Sequence, residues 1–440
     1  MACFIDSKSL EQKECEKIHN DLTVIVKSDN KKIPPKQLYI YEIDNTDTLR
    51  LPFFYGYNNK YNARPERQAL KTISVPFEGT LRDEQIEVKS SSLKILSTKG
   101  SIILSMYTGF GKTAVSIALA CTIKLKTLVI VNKLILMKQW QESILKFCPS
   151  AKVQCLTTKT KLSDDTEFII INAINIVKWP VSFFNSVGLV IVDECHLIMA
   201  ETLSKSLFNL QPRYLIGLSA TPYRMDGLNS LFDIFFGPEK IIKLMNRKHN
   251  VIKIISPFRP RIELARNGRL DWTKVIDSQA ENVCRNNLIV DIITYFKDRT
   301  FLVLVKRIEQ GQTLYQKLFE RNDSVTTLLG STQNFDKDAR ILIGTTSKIG
   351  TGFDHHKLDT LILCSDIEAY FLQYLGRVFR TQDNIPLIID IVDDNNVLKK
   401  HYLSREKVYS EIGGIIYPVD TKKNKDVAII DQIKSLQLGF

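Results

Sequence analysis

Residues 102–121 read Ile-Ile-Leu-Ser-Met-Tyr-Thr-Gly-Phe-Gly-Lys-Thr-Ala-Val-Ser-Ile-Ala-Leu-Ala-Cys, and this stretch decides the fold. Ile102–Met106, apolar but for Ser105, reads as a buried strand, and Ala114–Cys121 reads as a helix. Between them, Tyr107–Thr113 is a glycine-rich turn. Such a turn lets backbone N–H groups approach phosphates, and the helix N-terminus adds the positive end of its dipole. Thr108, Gly109 and Gly111 are candidates for the cradle. Lys112 would reach the β- and γ-phosphates, and Thr113 would hold Mg²⁺ through its hydroxyl. The G-x-x-x-x-G-K-[ST] pattern asks for Gly where this chain has Met106. On these residues alone, a tight strand-to-helix turn with an exposed lysine stays open.

Downstream, Leu189-Val190-Ile191-Val192 is a second buried-strand run, and it ends in Asp193-Glu194-Cys195-His196. Acids at the C-terminal end of a strand stand where α/β proteins place ligands. Asp193 is the candidate for the Mg²⁺ shell, and Glu194 for polarising an attacking water. Taken alone, the pair could also be a solvated strand end.

Around these two segments, short apolar runs alternate with helix-like stretches. The runs at 102–105, 127–131, 168–171, 189–192 and 214–218 are followed by others at 301–305, 341–344, 360–364 and 387–391. Parallel strands covered by helices on both faces have this appearance. The pattern predicts two α/β lobes in series, at 79–245 and 271–400. Residues 1–78 read as a small accessory domain, with strands at Leu22–Val26 and Leu38–Ile43 and a turn-rich stretch at Tyr57–Arg67. Residues 246–270 read as a basic linker and 401–440 as a polar tail containing Lys422, Lys423 and Lys425. The linker holds Arg247, Lys248, Lys253, Arg259, Arg261, Arg266 and Arg269 against the single acid Glu263. Pro257 and Pro260 argue against one continuous helix there. The expectation is that this strip borders a nucleic-acid path; the alternative is a solvated surface.

The chain has 440 residues, 44% hydrophobic and 25% charged, which is ordinary globular composition. A net charge of +12 favours a polyanionic partner without naming it. The eight cysteines form no C-x-x-C pair, so buried reduced thiols and a reducing compartment are expected. No secretory h-region and no apolar run of about 20 residues is present, so a soluble, intracellular protein without membrane partners is expected.

With these residues in view, the chain resembles superfamily 2 helicases. The phosphate loop, Asp193-Glu194-Cys195-His196, Ser219-Ala220-Thr221 and Gln373-x-x-Gly376-Arg377-x-x-Arg380 occur in that family's order, across roughly residues 80–395. Leu81-Arg82-Asp83-Glu84-Gln85 resembles the element upstream of the loop, and Val129–Trp140 the strand-and-helix motif that touches the tracking strand. In the latter, Asn132 and Lys133 replace the usual proline and threonine. Thr346–Asp354 resembles the fifth motif. Tyr223-Arg224-Met225-Asp226, after Ser-Ala-Thr-Pro, is similar to the Arg-Glu-Asp element of XPB-like DNA helicases, with Met225 in place of Glu. The segment Leu51–Gly56 resembles one preceding the motor in phage and large-DNA-virus relatives. The nearest resemblance is therefore to XPB-like DNA helicases, including those that release transcripts in poxviruses.

The resemblance implies two tandem RecA-like parallel-sheet lobes, α/β in class, with ATP and Mg²⁺ as cofactors. Arg82, Gln85, Gly352 and Asp354 would join the nucleotide site, Gln85 reading adenine. Arg377 and Arg380 would stabilise the transferring phosphoryl group. Ser219, Thr221 and Gln373 would couple nucleotide state to nucleic acid. It further implies a monomeric motor on DNA, moving 3′ to 5′, with transcription or replication proteins as partners. If viral, it would work in host cytoplasm or nucleus and could be packaged in the virion. A motor subunit of a larger complex, an RNA helicase and a catalytically dead scaffold are the alternatives. His355 and His356 read as a polar loop rather than a metal site. Cys195 reads as a buried filler, and Phe183, Phe184, Phe232, Phe235 and Phe236 as core.

Overall fold

The computed structural model describes residues 1–440 apart from 27–35, 158–162, 199–206, 221–229, 266–267, 269, 333, 351–354, 356, 368–370, 381–383, 421–427, 437 and 439–440. The chain divides into two compact units. One is Met1–Met106 with Phe110–Lys243, the other Leu244–Phe440 with Tyr107–Gly109. Each is built on a seven-stranded sheet, and the α/β expectation of two parallel-sheet lobes is met.

The N-terminal region contains strands β1 (Ala2–Asp6), β2 (Thr23–Val26), β3 (Lys36–Tyr39), β4 (Glu42–Ile43) and β5 (Thr48–Pro52). They make an antiparallel sheet of order β1-β5-β4 and a β2–β3 hairpin. The expected strand at 38–43 is two strands, interrupted at Ile40, whose N–H donates to the Leu22 carbonyl at 2.9 Å. The region packs into the core of the first lobe. Met1, Cys3, Leu22, Leu51 and Phe53 share one apolar core with Ile103, Leu128, Val190 and Phe236 of the first lobe. The Ala2 N–H donates to Leu210 O at 2.7 Å, and Arg50 to Asn209 Oδ1 at 3.0 Å. Its apolar residues thus add to the larger core of the first lobe.

The first sheet contains β6 (Ser101–Met106), β7 (Thr127–Val131), β8 (Val153–Leu156), β9 (Phe168–Asn172), β10 (Leu189–Val192), β11 (Tyr214–Ser219) and β12 (Lys240–Lys243). Their order is β12-β6-β11-β10-β7-β9-β8, with parallel pairing. Every residue of β6, β7, β9 and β10 is buried, as continuous apolar runs require when helices cover both faces. Because β11 lies between β6 and β10, the segments that follow these three strands emerge side by side at one sheet edge.

The second sheet contains β13 (His249–Ile255), β14 (Phe301–Val305), β15 (Val325–Leu328), β16 (Ile341–Thr345), β17 (Thr360–Leu363), β18 (Leu387–Val392) and β19 (Gly414–Asp420), in the order β15-β16-β14-β17-β18-β13-β19. Leu302, Leu304 and Leu342 pack in one core, and Phe301, Val303, Val305, Ile341 and Ile343 in another. The period of two along each strand thus divides its side chains between the two faces.

Two stretches hold more regular structure than their composition suggests. The expected linker 246–270 contributes β13, hydrogen-bonded between β18 and β19, with Val251, Ile252 and Ile254 buried. The expected tail 401–440 contains most of the helix Asn396–Glu411, then β19 and the helix Ile429–Lys434. Polar composition concealed them because their charges are paired internally. Arg405, buried on that helix, makes two 2.8 Å bonds to Asp390 in β18, where Tyr409 also donates at 2.9 Å. The lysines at 422, 423 and 425 lie outside the described residues. No helix among the described residues is long and apolar enough to cross a membrane.

Candidate active site

The helix Lys112–Ile123 starts at Gly111, whose φ of 94° is in the left-handed region, as is Gly109 at 96°. A Cβ on Gly111 would collide with the Gln85 amide, so the position needs glycine twice over. Met106, where the consensus has glycine, is the last residue of β6 and fully buried. The backbone is still a strand there, and a side chain is both tolerated and packed. Lys112 Nζ donates to the Met106 carbonyl at 3.0 Å, which folds the ammonium over the loop. Thr113, half-buried, occupies the next helical position.

Arg82 and Gln85 meet this loop from the start of the helix Asp83–Lys99. Both donate to the Phe110 carbonyl, Gln85 Nε2 at 2.7 Å, while Gln85 Oε1 accepts the Arg82 backbone N–H at 2.9 Å. Gln85 is buried, and its amide uses both ends to clamp the loop.

Beyond β10, Asp193 has both carboxylate oxygens engaged. Oδ2 accepts the Trp140 indole N–H at 2.8 Å, and Oδ1 accepts the Glu194 backbone N–H at 3.0 Å. Burial and the neighbouring Glu194 charge push the Asp193 pKa up; Trp140 and Lys112 oppose them. Glu194 has a φ of 46°, uncommon for a residue with a side chain. Its Oε2 is buried with no hydrogen-bond partner, 3.5 Å from His196 Nδ1. The same His196 nitrogen lies 2.9 Å from Ser219 Oγ at the end of β11. Cys195 is fully buried, and that burial raises its thiol pKa.

Among the described residues, no group of three or more His, Cys, Asp or Glu side chains is placed to hold a metal ion. Magnesium needs no such cage, since it keeps waters and takes phosphate oxygens beside one or two protein ligands. Asp193 with Thr113 fits that donor set. The buried Glu194 oxygen, without a hydrogen bond and beside the Asp193 carboxylate, is placed where a cation would offset negative charge.

In the second unit, the helix Phe371–Val378 is tied to the segment after β16. Tyr374 Oη donates to Thr346 O at 3.0 Å, and Arg377 to Gly350 O at 3.2 Å. The Gln373–Arg380 element therefore meets the start of the Thr346–Asp354 segment directly. Arg377 is buried, its guanidinium engaged with backbone, whereas Arg380 is more exposed and burial still lowers its pKa. Gln373 is buried, with Nε2 lacking a hydrogen-bond partner. Thr221, Gly352 and Asp354 lie outside the described residues, as do Tyr223–Asp226 and His356. His355 is buried, stacked on Phe335 at 5.8 Å, and its Nδ1 accepts the Lys357 N–H at 3.3 Å. Phe184, Phe232, Phe235 and Phe236 are core residues, with Phe183 packed against them.

The basic stretch carries less free charge than its composition suggests. Arg259 pairs with Asp394 at 3.0 Å, Arg261 with Glu281 at 3.3 Å and Lys253 with Glu406 at 3.6 Å. Arg247 donates to the carbonyls of Phe379 and Asn384. Arg266 and Arg269 lie outside the described residues.

Two residues at this site had no role in the sequence reading. In the sequence His196 belongs only to the acidic motif, and Trp140 to the Val129–Trp140 segment. Their partners are 23 and 53 residues away. No local signal in the sequence marks either contact.

Residues 78–224 match the model of the type III restriction enzyme res subunit family. Among relatives carrying the description putative helicase, 161L of Invertebrate iridescent virus 6 is 43% identical over 444 residues, covering 94% of this chain and 99% of its own length. The corresponding 055L of Frog virus 3 (isolate Goorha) is 32% identical over 340 residues, covering 76% of this chain and 78% of its own. L396 of Acanthamoeba polyphaga mimivirus, described as an ATP-dependent RNA helicase, is 26% identical over 442 residues, 93% of this chain and 84% of its own. Among solved structures, S. cerevisiae Dbp5 bound to RNA and ADP BeF3 aligns with a TM-score of 0.55 at 14% identity, over 80% of this chain and 98% of that one. That alignment bears on the fold alone, and it is the fold of the two parallel-sheet lobes. By its match to the iridescent-virus protein over 94% of its residues, this chain belongs to the helicase family found in large DNA viruses.

Proposed function

We propose that this chain is an ATP-dependent, Mg²⁺-requiring motor of superfamily 2 acting on nucleic acid, with DNA as its preferred track. The observation that carries the reading is the convergence after β6, β10 and β11. The phosphate loop with Lys112, the Asp193–Glu194 pair and the His196–Ser219 contact arise from three adjacent strands. Ligands of α/β sheets bind at that end of the strands.

In this reading Gly109, Gly111, Lys112 and Thr108 hold the phosphates, while Thr113 and Asp193 hold Mg²⁺. Glu194 aligns the attacking water. The clamp by Arg82 and Gln85 keeps the loop in its phosphate-accepting shape. Arg380 supplies positive charge to the transferring phosphoryl group, an interaction worth about 10³–10⁵ in rate in other such enzymes. Arg377, engaged with Gly350, braces the fifth motif. Ser219, Thr221 and Gln373 relay nucleotide state, and Gly352 and Asp354 contribute from the fifth motif. The XPB-like resemblance supports DNA, 3′-to-5′ movement and a place in viral transcription, replication or repair.

RNA is the second reading, favoured by the description of the mimivirus relative as an RNA helicase. An ATPase assay with single-stranded DNA, duplex DNA and RNA as stimulators separates the two. Stimulation by DNA is expected; stimulation by RNA alone overturns the DNA assignment.

A further inference from the structure

We propose that Trp140 is a positioning residue for the metal-side carboxylate, holding Asp193 through its indole N–H. The proposal rests on the Mg²⁺–nucleotide reading above. Trp140 lies on the helix Leu134–Phe147, which follows β7, and is 2% exposed. An indole is a donor only, and a buried donor needs an acceptor. Here the acceptor is Asp193 Oδ2 at 2.8 Å.

The geometry does more than satisfy the indole. A free aspartate carboxyl is a broad, roughly two-fold rotor about its terminal torsion. Two donors from different elements remove that freedom: Trp140 on Oδ2, and the Glu194 backbone N–H on Oδ1. Each oxygen keeps lone-pair capacity for a cation or its waters. A leucine or phenylalanine could fill the same core space, but neither presents an N–H. The need for an indole at this helical position is therefore explained by Asp193 and not by packing alone. The arrangement parallels the outer-shell donors that orient ligands in metal sites generally.

The test uses the full chain and a fluorescent ATP analogue, titrated with Mg²⁺ or held in EDTA, with thermal unfolding recorded alongside. Trp140→Phe is expected to keep analogue affinity in EDTA while raising the half-saturating Mg²⁺ concentration about ten-fold, the scale of one hydrogen bond to a charged group. In an Asp193→Asn background the same substitution should add nothing. Trp140→His, which loses volume but keeps a ring N–H, should lie closer to wild type than Trp140→Phe in Mg²⁺ dependence. An unchanged Mg²⁺ midpoint in Trp140→Phe overturns the proposal, as does an equal shift with and without Asp193. So does a Trp140→His variant worse than Trp140→Phe, which would mark a packing role. Wild-type protein that binds the analogue without any Mg²⁺ dependence overturns both this proposal and the function it rests on.

Discussion

The imidazole of His196 meets the hydroxyl of Ser219 at 2.9 Å, joining the acidic motif after β10 to the end of β11. His196 is also 3.5 Å from Glu194 Oε2, so one ring touches both the candidate water-aligning acid and the candidate relay. His196→Ala and Ser219→Ala are expected to spare basal ATP hydrolysis and to lower strand displacement per ATP about five-fold, the scale of one neutral hydrogen bond. Parallel ATPase and unwinding assays check this. Equal losses in both activities would count against a relay.

Lys112→Ala and Arg380→Ala should each abolish nucleic-acid-stimulated hydrolysis, by about 10³-fold or more for the arginine. Neither side chain is in the apolar core, so circular dichroism and melting temperature should stay near wild type. Wild-type turnover in purified Lys112→Ala would remove the mechanism.

Glu194 separates strain from chemistry. At a φ of 46°, a residue with a Cβ pays about 1–2 kcal/mol that glycine does not. Glu194→Gly should therefore melt higher than Glu194→Gln, while both lose hydrolysis and keep nucleotide binding. Calorimetry and equilibrium binding make the comparison. A Glu194→Gly protein less stable than Glu194→Gln would contradict the strain assignment.

His249, at the start of β13, donates Nδ1–H to the Arg247 carbonyl at 2.7 Å and buries Nε2 without a hydrogen-bond partner. Burial, helped by the Arg247 charge, holds its pKa below the ordinary histidine value. The unfolded chain therefore binds the proton more readily than the folded one. The stabilisation is complete above pH of about 6.5 and is lost as pH falls through the lower folded value. Hydrogen exchange of β13 should accelerate as pH drops below that point, after correction for the intrinsic rate. His249→Gln should flatten the dependence, and a slope unaltered by that change would rule His249 out as its source.

Asp390 is buried, and it carries Arg405 and Tyr409 from the helix preceding β19. Asp390→Ala would leave the Arg405 charge partly uncompensated, and breaking a buried pair costs about 3–5 kcal/mol. Urea unfolding should register that loss in the second unit. A loss below about 1 kcal/mol would mean that the C-terminal segment is held by apolar packing instead.

The apolar runs were legible because a strand buried on both faces is mostly apolar, and β6, β7, β9 and β10 are buried throughout with only Ser101, Ser105, Thr127 and Asn172 polar among them. The phosphate loop was legible despite Met106 because Gly109 and Gly111 are the positions whose backbone needs positive φ. Strand β13 was not legible. Its lysine and the flanking arginines read as a solvated strip, and their acidic partners Glu406, Asp394 and Glu281 are remote in sequence. The N-terminal region misled in the opposite sense, since local patterning shows strands but not whose core they share.

By itself, then, the sequence determined the α/β class, the two successive lobes and the order of the motifs. These follow from local periodicity and from residue types that a turn, a strand end or a phosphate demands. Only the tertiary structure decided that β11 lies between β6 and β10, that His196 faces Ser219, that Trp140 holds Asp193, and that Arg377 is engaged with Gly350. The physical reason is common to all four. Each depends on which strands are neighbours and how helices pack across them, and that choice is made by the core as a whole.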